Sequence, residues 1–552
     1  MLLAFNLPPS ATFLNQAAAL IGWGGFMLVV TAAVPMMRAR HVGIGPGAAL
    51  SALTALLLAA LASPLWAGLP WSLALSAAGM ISAAMLVMAI AASVASIEWR
   101  VVAFRAFCIG LVVAGVASSA VGIVQVFAPA WPDGDWVAKT YIVGRAVGNM
   151  RQPNHLSSLL VWSLIAAVWL AETRVIRRWL GEALTLLFIF VIVLTASRTG
   201  AVSVGLLLIW SLIDRSLSRR TRILLALAPV AYLLFWLGTS AWADYAHQIF
   251  GGETRFTTKG DISSSRWGIW SNTLSLIAAH PLLGVGFGEF NFAWTLTPFP
   301  GRPVAFFDHT HNILLQFAVE LGLPLAGIVV ALLSCALFIA WRDANDNLRR
   351  AALVMVLMIL LHSLLEYPLW YAYFLLPAVF ALGLCLGQPQ QGARQMPEPV
   401  VETTRPLLIA SMLLMLGGAA SVLDYSRVVI IFSQSEAPLA QRIEDGQHSV
   451  FFAHQADYAS ATTAERLGDV LPVFRRAPHN LLDARLMIAW AKALAESGDV
   501  ERARYVAQRL KEFRNEQATD FFAPCADGLK PGEKLPFQCV APTRSFSYQD
   551  FR

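Results

Sequence analysis

Charged side chains are scarce in this chain. Asp, Glu, Lys and Arg make up 13% of its 552 residues, against 57% hydrophobic ones, and a soluble protein carries roughly twice that charged fraction. The shortage excludes the about four soluble domains that the length alone would suggest. The high apolar content excludes a disordered chain. Gly and Pro show no period, which excludes a collagen-like repeat, and five cysteines are too few for a disulfide scaffold of this length. What remains is an all-α polytopic membrane protein. Its net charge of +6 is small, so where the charges sit matters more than their sum.

A spanning helix needs about 20 mostly apolar residues, because hydrocarbon offers an exposed backbone no hydrogen-bond partner. About twelve runs qualify as transmembrane helices, near 17–37, 44–63, 71–95, 102–128, 155–171, 181–197, 200–213, 223–239, 323–341, 351–367, 369–386 and 406–424. Lys and Arg close to helix ends stay on the cytoplasmic side. Arg38/Arg40, Arg100/Arg105, Arg174/Arg177/Arg178, Arg215/Arg219/Arg220/Arg222, Arg342/Arg349/Arg350 and Arg394/Arg405 fall in alternate loops, which are therefore expected inside. Residues 1–16, without Lys or Arg, and everything after about 425 are expected outside. The missing basic n-region argues against a cleaved signal peptide. The expected organisation is a transmembrane domain over 1–424, with long periplasmic loops at about 129–154 and 240–310, and a helical periplasmic domain over 425–552. Loops of that length in a compact membrane protein are usually functional.

In the tail, Leu482, Leu486, Trp490 and Leu494 recur on one helical face, and after Gly498-Asp499 so do Ala503, Val506, Leu510 and Phe513. Two amphipathic helices joined by a tight turn read as one tetratricopeptide-type hairpin without a clear second copy. It is suited to capping the membrane domain or to binding an acceptor. Cys525 and Cys539 are the only cysteines of the tail and are expected to pair as a disulfide in an oxidising periplasm. Cys108, Cys335 and Cys385 lie in apolar runs, where buried thiols are ordinary.

The inside rule leaves Lys139, Arg145, Arg151, Arg198, Arg255, Lys259, Arg266 and Arg302 on the outer side. Long loops escape that rule, but Arg198 lies between two apolar runs, where charge is expensive unless paired or used. Arg266, in Ser263-Ser264-Ser265-Arg266-Trp267, opens an expected helix reaching His280-Pro281. Free backbone N–H groups at a helix start attract anions, and guanidinium grips phosphate through paired hydrogen bonds. Together the two arginines suit a phosphate or pyrophosphate; the alternative for each is an ion pair with a neighbouring helix.

Asp308-His309-Thr310-His311-Asn312 precedes an apolar run that meets Gly322-Leu323-Pro324. A helix unbroken from His311 to Trp341 would be ~46 Å long, beyond a ~30 Å hydrocarbon core. Residues 311–321 are therefore expected as a separate outer-face helix that ends at the Gly-Leu-Pro break. Histidine at such a place fits a general base. A metal site of Asp308, His309 and His311 is disfavoured, because His-x-His on a helix points two ways and no third His is near; a structural, satisfied histidine is the plain alternative. Asn149-Met150-Arg151-Gln152-Pro153-Asn154-His155 reads as a helix-start turn, and its amides also suit sugar hydroxyls or phosphate. Gly284-Val285-Gly286-Phe287-Gly288 lacks the flanking strand and helix of a nucleotide loop and is expected to be a flexible turn facing lipid or substrate. Leu365-Glu366-Tyr367-Pro368 breaks two spans on the outer side, with Glu366 and Tyr367 as interface anchors or as part of the same site.

Gln152-Pro153-Asn154-His155, Ser197-Arg198-Thr199-Gly200, Ser265-Arg266-Trp267, His311-Asn312 with Gly322 nine intervening residues later, and Leu365-Glu366-Tyr367-Pro368-Leu369-Trp370-Tyr371 together resemble the bacterial O-antigen ligase and O-oligosaccharyltransferase superfamily, over about 130–390. The tail is similar to the C-terminal domain of the protein-glycosylating, pilin-type branch. One position departs: Leu325 stands where ligases commonly carry Gly, Thr or Tyr. The resemblance implies inverting, metal-independent transfer of a glycan from undecaprenyl pyrophosphate to Ser or Thr of a periplasmic protein such as a pilin, at the periplasmic face of the bacterial inner membrane. It implies His311 as catalytic base and Arg198 and Arg266 as holders of the pyrophosphate. Gln152, Asn154, His155, Asn312, Glu366 and Tyr367 join them as expected substrate-binding residues. No cofactor, no metal and no nucleic-acid partner are expected.

The chemistry agrees with that assignment. Lipid pyrophosphate leaves as a growing negative charge that fixed cations stabilise, and the acceptor hydroxyl must lose a proton that His311 can take. Retaining catalysis would need a carboxylate nucleophile, for which Asp308, Glu289 and Glu366 are candidates without a matching role in the family. The alternatives are an O-antigen ligase acting on lipid A-core, an O-antigen polymerase, and a lipid-linked glycan transporter. Transporters often carry repeated halves, and no half-to-half similarity is visible here.

Overall fold

The computed structural model describes residues 11–33, 43–94, 97–253, 265–387, 401–525 and 535–552. Arg38, Arg40, Arg255, Lys259, Ser263, Ser264 and Arg394 lie outside the described residues. The chain forms α1 (Ala11–Ala33), α2 (Ile44–Trp66), α3 (Trp71–Ala92), α4 (Ile97–Phe127), α5 (Pro153–Glu172), α6 (Arg178–Thr195), α7 (Arg198–Ile213), α8 (Arg219–Ala226) and α9 (Ala228–Tyr245). There follow α10 (Ser265–Ala279), α11 (Phe290–Leu296), α12 (Ile313–Arg342), α13 (Asn347–Ser363), α14 (Ala372–Leu386) and α15 (Val401–Val429). The remainder holds α16 (Leu439–Gln447), α17 (Ala453–Thr463), α18 (Ala484–Glu496) and α19 (Val500–Glu512), with short 3-10 turns between and after them.

Among the described residues, each of the twelve apolar runs falls on a helix or, for 223–239, on the pair α8 and α9, and the chain is a multi-pass, all-α membrane protein. Among the described residues, eight helices are long and apolar enough to cross a membrane, or nine if α8 and α9, bent by 44°, form one span. The difference from twelve lies in α7, α13 and α14. The first and last are shorter apolar helices, and α13 has 17 residues. Two of them start at a side-chain cap, Ser197 before α7 and Asp346, which accepts the Arg349 N–H, before α13; α14 starts after Tyr371 without one.

The residues group into two compact units. The first comprises Met1–Ser51, Ala83–Lys259 and Leu332–Ala419. Its centre is α5, buried from Pro153 to Ala171 and packed by α4, α6, α7 and α13. Polar groups on α5 are answered by neighbouring backbone: Trp162 Nε1 donates to the Met355 carbonyl at 2.8 Å and Ser163 Oγ to that of Leu111 at 2.7 Å. The connection between α4 and α5 is likewise built. Gln125 donates to the Ala138 carbonyl at 2.7 Å and accepts the N–H groups of Val147 and Gly148, while Asn149 accepts the Ala138 N–H. A buried backbone group without a partner costs about as much as a lost hydrogen bond, and two amides close this loop against that cost.

The second unit comprises Ala52–Ser82, Gly260–Ala331 and Ala420–Arg552. Here α12 is not one straight helix. Gly322, at φ 75° and ψ 161°, breaks it directly before Leu323 and Pro324, where the sequence placed the break. A Cβ on Gly322 would lie 2.2 Å from the Leu282 carbonyl oxygen, so no other residue fits. The glycine-rich turn differs from its expected character. Gly284, Val285 and Gly286 are buried, and the N–H groups of Val285 and Gly286 bond the carbonyls of Val319 and Glu320 at 2.8 and 3.1 Å. Those carbonyls are free to accept because α12 breaks just beyond them, and they hold the turn fast.

The tail hairpin of α18 and α19 turns at Gly498, φ 87°, with Asp483 and Asp499 capping its helices. Leu482, Leu486, Trp490, Leu494, Ala503, Val506, Leu510 and Phe513 are all buried. A second helix pair, α16 against α17, precedes it; the weak apolar periodicity of α17 hid the pair from the sequence. Cys525 and Cys539 are joined in a disulfide. The hairpin does not form a core of its own. Phe307 and Trp294 share one apolar cluster with Trp490, Leu510 and Phe513, and Phe306 stacks on Phe513 with centroids 4.0 Å apart. Arg302, one of the expected outer arginines, is only 3% exposed. It pairs with Glu512 at 3.2 Å, donates to the carbonyls of Trp294 and Thr297, and sits over the Trp294 and Phe513 rings. Burial pushes its guanidinium down to about 10, which leaves it charged at neutral pH.

His454 in α17 is buried and lies 3.2 Å from the Ser72 hydroxyl. Burial pushes its imidazole from 6.5 down to about 4. Between those values the unfolded chain binds the proton that the folded chain refuses, so stability rises with pH across that window; at about pH 5 the shortfall from this group is ~2 kcal/mol. The melting temperature is expected to fall between about pH 7 and about pH 5, and His454→Asn to remove part of that fall, as read by thermal melts at both values.

Candidate active site

Arg198 is the first residue of α7, and the turn ahead of it fixes its place. α6 ends on Ala196 in the left-handed region, φ 49°. Ser197 then caps α7 by accepting the Gly200 N–H at 3.0 Å. Its hydroxyl donates to Asn154 Oδ1 at 2.6 Å and accepts from the Ser157 hydroxyl at 3.1 Å, and Asn154 Nδ2 donates to Glu366 Oε1 at 3.2 Å. A polar chain of Ser157, Ser197, Asn154 and Glu366 thus ties α5, the start of α7 and the turn before α14 together. Gly200 completes the pattern: a Cβ there would come within 2.9 Å of Ile192 and Ser157. The Ser-Arg-Thr-Gly motif therefore combines a cap, a cation and a close helix approach.

Gln152 accepts the His155 N–H at 2.8 Å and so caps α5, with Pro153 in the first turn. His155 is buried. Its ring meets those of Tyr371 and Phe374 edge-on at 4.7 and 5.3 Å, and its Nδ1 lies 3.3 Å from the Tyr373 hydroxyl. Tyr367 stacks on Tyr371. In the first unit the structure thus brings Asn154, Glu366 and the turn of Arg198 together, and sets Gln152, His155 and Tyr367 in the cap and the aromatic packing beside them.

Arg266 and His311 belong to the second unit. Arg266 is the second residue of α10. Four residues on, and so on the same helix face, Trp270 Nε1 donates to the Thr310 carbonyl at 3.0 Å. His309 and His311 do not lie on a helix, contrary to expectation: α12 begins at Ile313. The reason is Asn312, whose Oδ1 accepts the N–H groups of Leu314 and Leu315 at 3.0 and 3.2 Å and so starts the helix after itself. His311 has φ 56°, and the Phe307 ring meets its imidazole edge-on at 5.5 Å. Asp308 lies 3.1 Å from His309 Nδ1. Partial desolvation works against the Asp308 charge, but the His309 ring beside it and, further off, His311 hold its carboxyl below the ordinary range.

Of the other carboxylates in these segments, Glu289 is fully buried with both oxygens 2.8 Å from His479 Nδ1, and Glu366 is engaged by Asn154. Among the described residues no three His, Cys, Asp or Glu side chains are placed to hold a metal ion. Sequence reasoning passed over Ser157 and Trp270. Ser157, one turn past Asn154, carried a usable signal as a second hydroxyl on the helix face of a motif residue; Trp270 carried none, since its partner is 40 residues away.

The O-Antigen ligase family signature matches residues 183–330, the stretch that holds Arg198, Arg266 and His311. The Protein glycosylation ligase signature matches 146–171, with Gln152, Asn154 and His155, and the signature described as Virulence factor membrane-bound polymerase, C-terminal, matches 350–521. These matches agree with the resemblance to the O-antigen ligase and O-oligosaccharyltransferase superfamily. Within it, the General O-oligosaccharyltransferase of Acinetobacter baylyi is 28% identical over 268 residues, 47% of either chain. The ComP-specific O-oligosaccharyltransferase of the same organism is 27% identical over 243 residues, 44% of either chain. The chain thus spans about half the length of the curated relatives it matches.

Ser197→Ala and Asn154→Ala remove the same hydrogen bond from its two ends. Each is expected to destabilise the protein by ~1–2 kcal/mol, and the double variant by less than the sum, with a coupling of ~0.5 kcal/mol or more. Denaturation of the four proteins in detergent reads the coupling; strict additivity would show that the bond contributes nothing.

Proposed function

We propose that the chain is an O-oligosaccharyltransferase of the protein-glycosylating branch, which moves a glycan from undecaprenyl pyrophosphate to a Ser or Thr hydroxyl of a periplasmic protein such as a pilin. It works in the bacterial inner membrane, with its site on the periplasmic face and the region after about 425 on that same side. The observation that carries this is the backbone of His311. A non-glycine residue in the left-handed region costs ~1–2 kcal/mol and persists where its surroundings over-determine it; here φ is 56°, with Thr310 and Asn312 hydrogen-bonded on either side. The names of the curated relatives support a glycan donor and a protein acceptor.

The acceptor oxygen attacks the anomeric carbon as the bond from that carbon to the pyrophosphate oxygen breaks. The hydroxyl proton passes to a ring nitrogen of His311. The bonding electrons leave with the lipid pyrophosphate, and the guanidinium groups of Arg198 and Arg266 take up its charge through paired donors. A single displacement inverts the anomeric centre. The retaining route needs a free carboxylate nucleophile, and the commitments of Glu289 to His479 and of Glu366 to Asn154 speak against it. Asn154, Glu366 and Gln152 serve the donor by holding the turns that carry Arg198 and the start of α5, and Asn312 by starting the helix behind His311. The route as written uses no metal or cofactor.

A second reading, an O-antigen ligase with lipid A-core as acceptor, is favoured by the ligase signature over 183–330. Two measurements test the assignment. His311→Ala is expected to lower transfer by at least ~10²-fold while the protein stays folded in the membrane; undiminished glycosylation of a periplasmic acceptor would overturn it. Intact-mass analysis of periplasmic proteins, with and without the chain, is expected to show a glycan increment lost on deletion. Unmodified periplasmic proteins in both strains beside truncated lipopolysaccharide in the deletion strain would select the ligase.

A further inference from the structure

We propose that Gln316 is a positioning residue for His311, which acts through the backbone of Thr310, and that Glu320 sets the direction of its amide. The proposal rests on the reading of His311 as the base. Thr310, the residue before it, is fully buried and fastened at every polar atom. Its N–H donates to Gln316 Oε1 at 2.8 Å, its carbonyl accepts Trp270 Nε1 at 3.0 Å, and its hydroxyl donates to the Asn312 carbonyl at 2.8 Å and accepts the Asn312 N–H at 3.2 Å. The peptide ahead of His311 is therefore held by α10 on one side and by α12 on the other.

The direction of the Gln316 amide follows from its partners. A backbone N–H only donates, so the Thr310 N–H requires the amide oxygen. The NH2 group then faces Glu320, and it donates to Glu320 Oε1 at 2.9 Å. Glu320 lies one turn along the same face. Gln316 is 2% exposed and Glu320 6%, in a stretch that is otherwise apolar from Ile313 to Leu321. Burying an amide and a carboxylate there is costly unless each is hydrogen-bonded, and what these bonds reach is the turn of His311. A base that must meet one hydroxyl proton gains from such fixing, since a shift of about 1 Å costs on the order of 100-fold in rate.

The test uses the full chain in lipid nanodiscs, with an undecaprenyl-pyrophosphate oligosaccharide as donor and a purified pilin as acceptor, and compares wild type with His311→Ala, Gln316→Met, Glu320→Gln and Glu320→Leu. Gln316→Met keeps volume without the amide; its kcat is expected to fall about 10–100-fold with KM for donor and acceptor within about twofold. Glu320→Gln keeps an acceptor oxygen for Gln316 and is expected to stay within about threefold of wild type, while Glu320→Leu falls with Gln316→Met. An inactive His311→Ala beside a Gln316→Met of wild-type kcat overturns this proposal and leaves the proposed function standing; a fully active His311→Ala overturns both. A Gln316→Met that raises KM at unchanged kcat overturns the positioning role. If Gln316→Met is not recovered folded, the Glu320 pair decides, and equal kcat in the two overturns the proposal.

Discussion

Hydrocarbon gives a backbone N–H or C=O nothing to bond, and most of this architecture answers that one constraint. Within helices the ladder satisfies it. At several breaks the chain uses an amide or hydroxyl side chain instead: Gln125 and Asn149 in the connection before α5, Gln152 and Ser197 at helix starts, Asn312 before α12. The residues assigned to chemistry stand next to these fasteners. Arg198 follows Ser197, and His311 stands between Thr310 and Asn312. In Ser-Arg-Thr-Gly the cap of Ser197 and the close helix approach at Gly200 give the arginine between them a defined place.

The second unit solves a different problem. The segment that leads to His311 has no regular structure between Leu296 and Ile313, and a stretch of that length needs an outside support. The tail supplies it. Glu512 and Phe513 receive Arg302, Phe513 receives Phe306, and Asn291 bridges the Phe307 carbonyl and the Leu482 N–H at 2.8 and 3.1 Å. Burying Arg302 is affordable only because a carboxylate, two carbonyls and two aromatic faces meet it at once. The tail thereby does more than a separate capping or acceptor-binding module would do, since it completes the core from which the His311 turn projects.

Features with local causes were legible in the sequence. The apolar runs, the break at Gly322, the start of α10 near Arg266 and the two buried faces of the tail hairpin all follow from periodicity and breakers within a few residues. Features whose cause lies far along the chain were not. The glycine-rich turn looked free because the carbonyls that hold it belong to α12, and Glu289 looked like a spare carboxylate because His479 is 190 residues away. The histidine turn is an intermediate case. Asn312 is a good helix cap by type, so its presence argued for a helix starting after it, with His309 and His311 on the turn; the apolar run beyond outweighed that signal. The number of spans stayed open for a related reason, since α7 and α14 are apolar by composition yet short.

The contact between Arg302 and Glu512 also fixes an order of events in time. Its partners are 210 residues apart, and at a synthesis rate of 5–20 residues per second the second follows the first by roughly 10–40 s. During that interval the helices of the first unit up to α14 are made, while the His311 segment still lacks the aromatic and acidic surface it rests on. The His311 turn is therefore shaped late, and a partly synthesised copy that has not yet reached Glu512 and Phe513 does not have the support on which it rests.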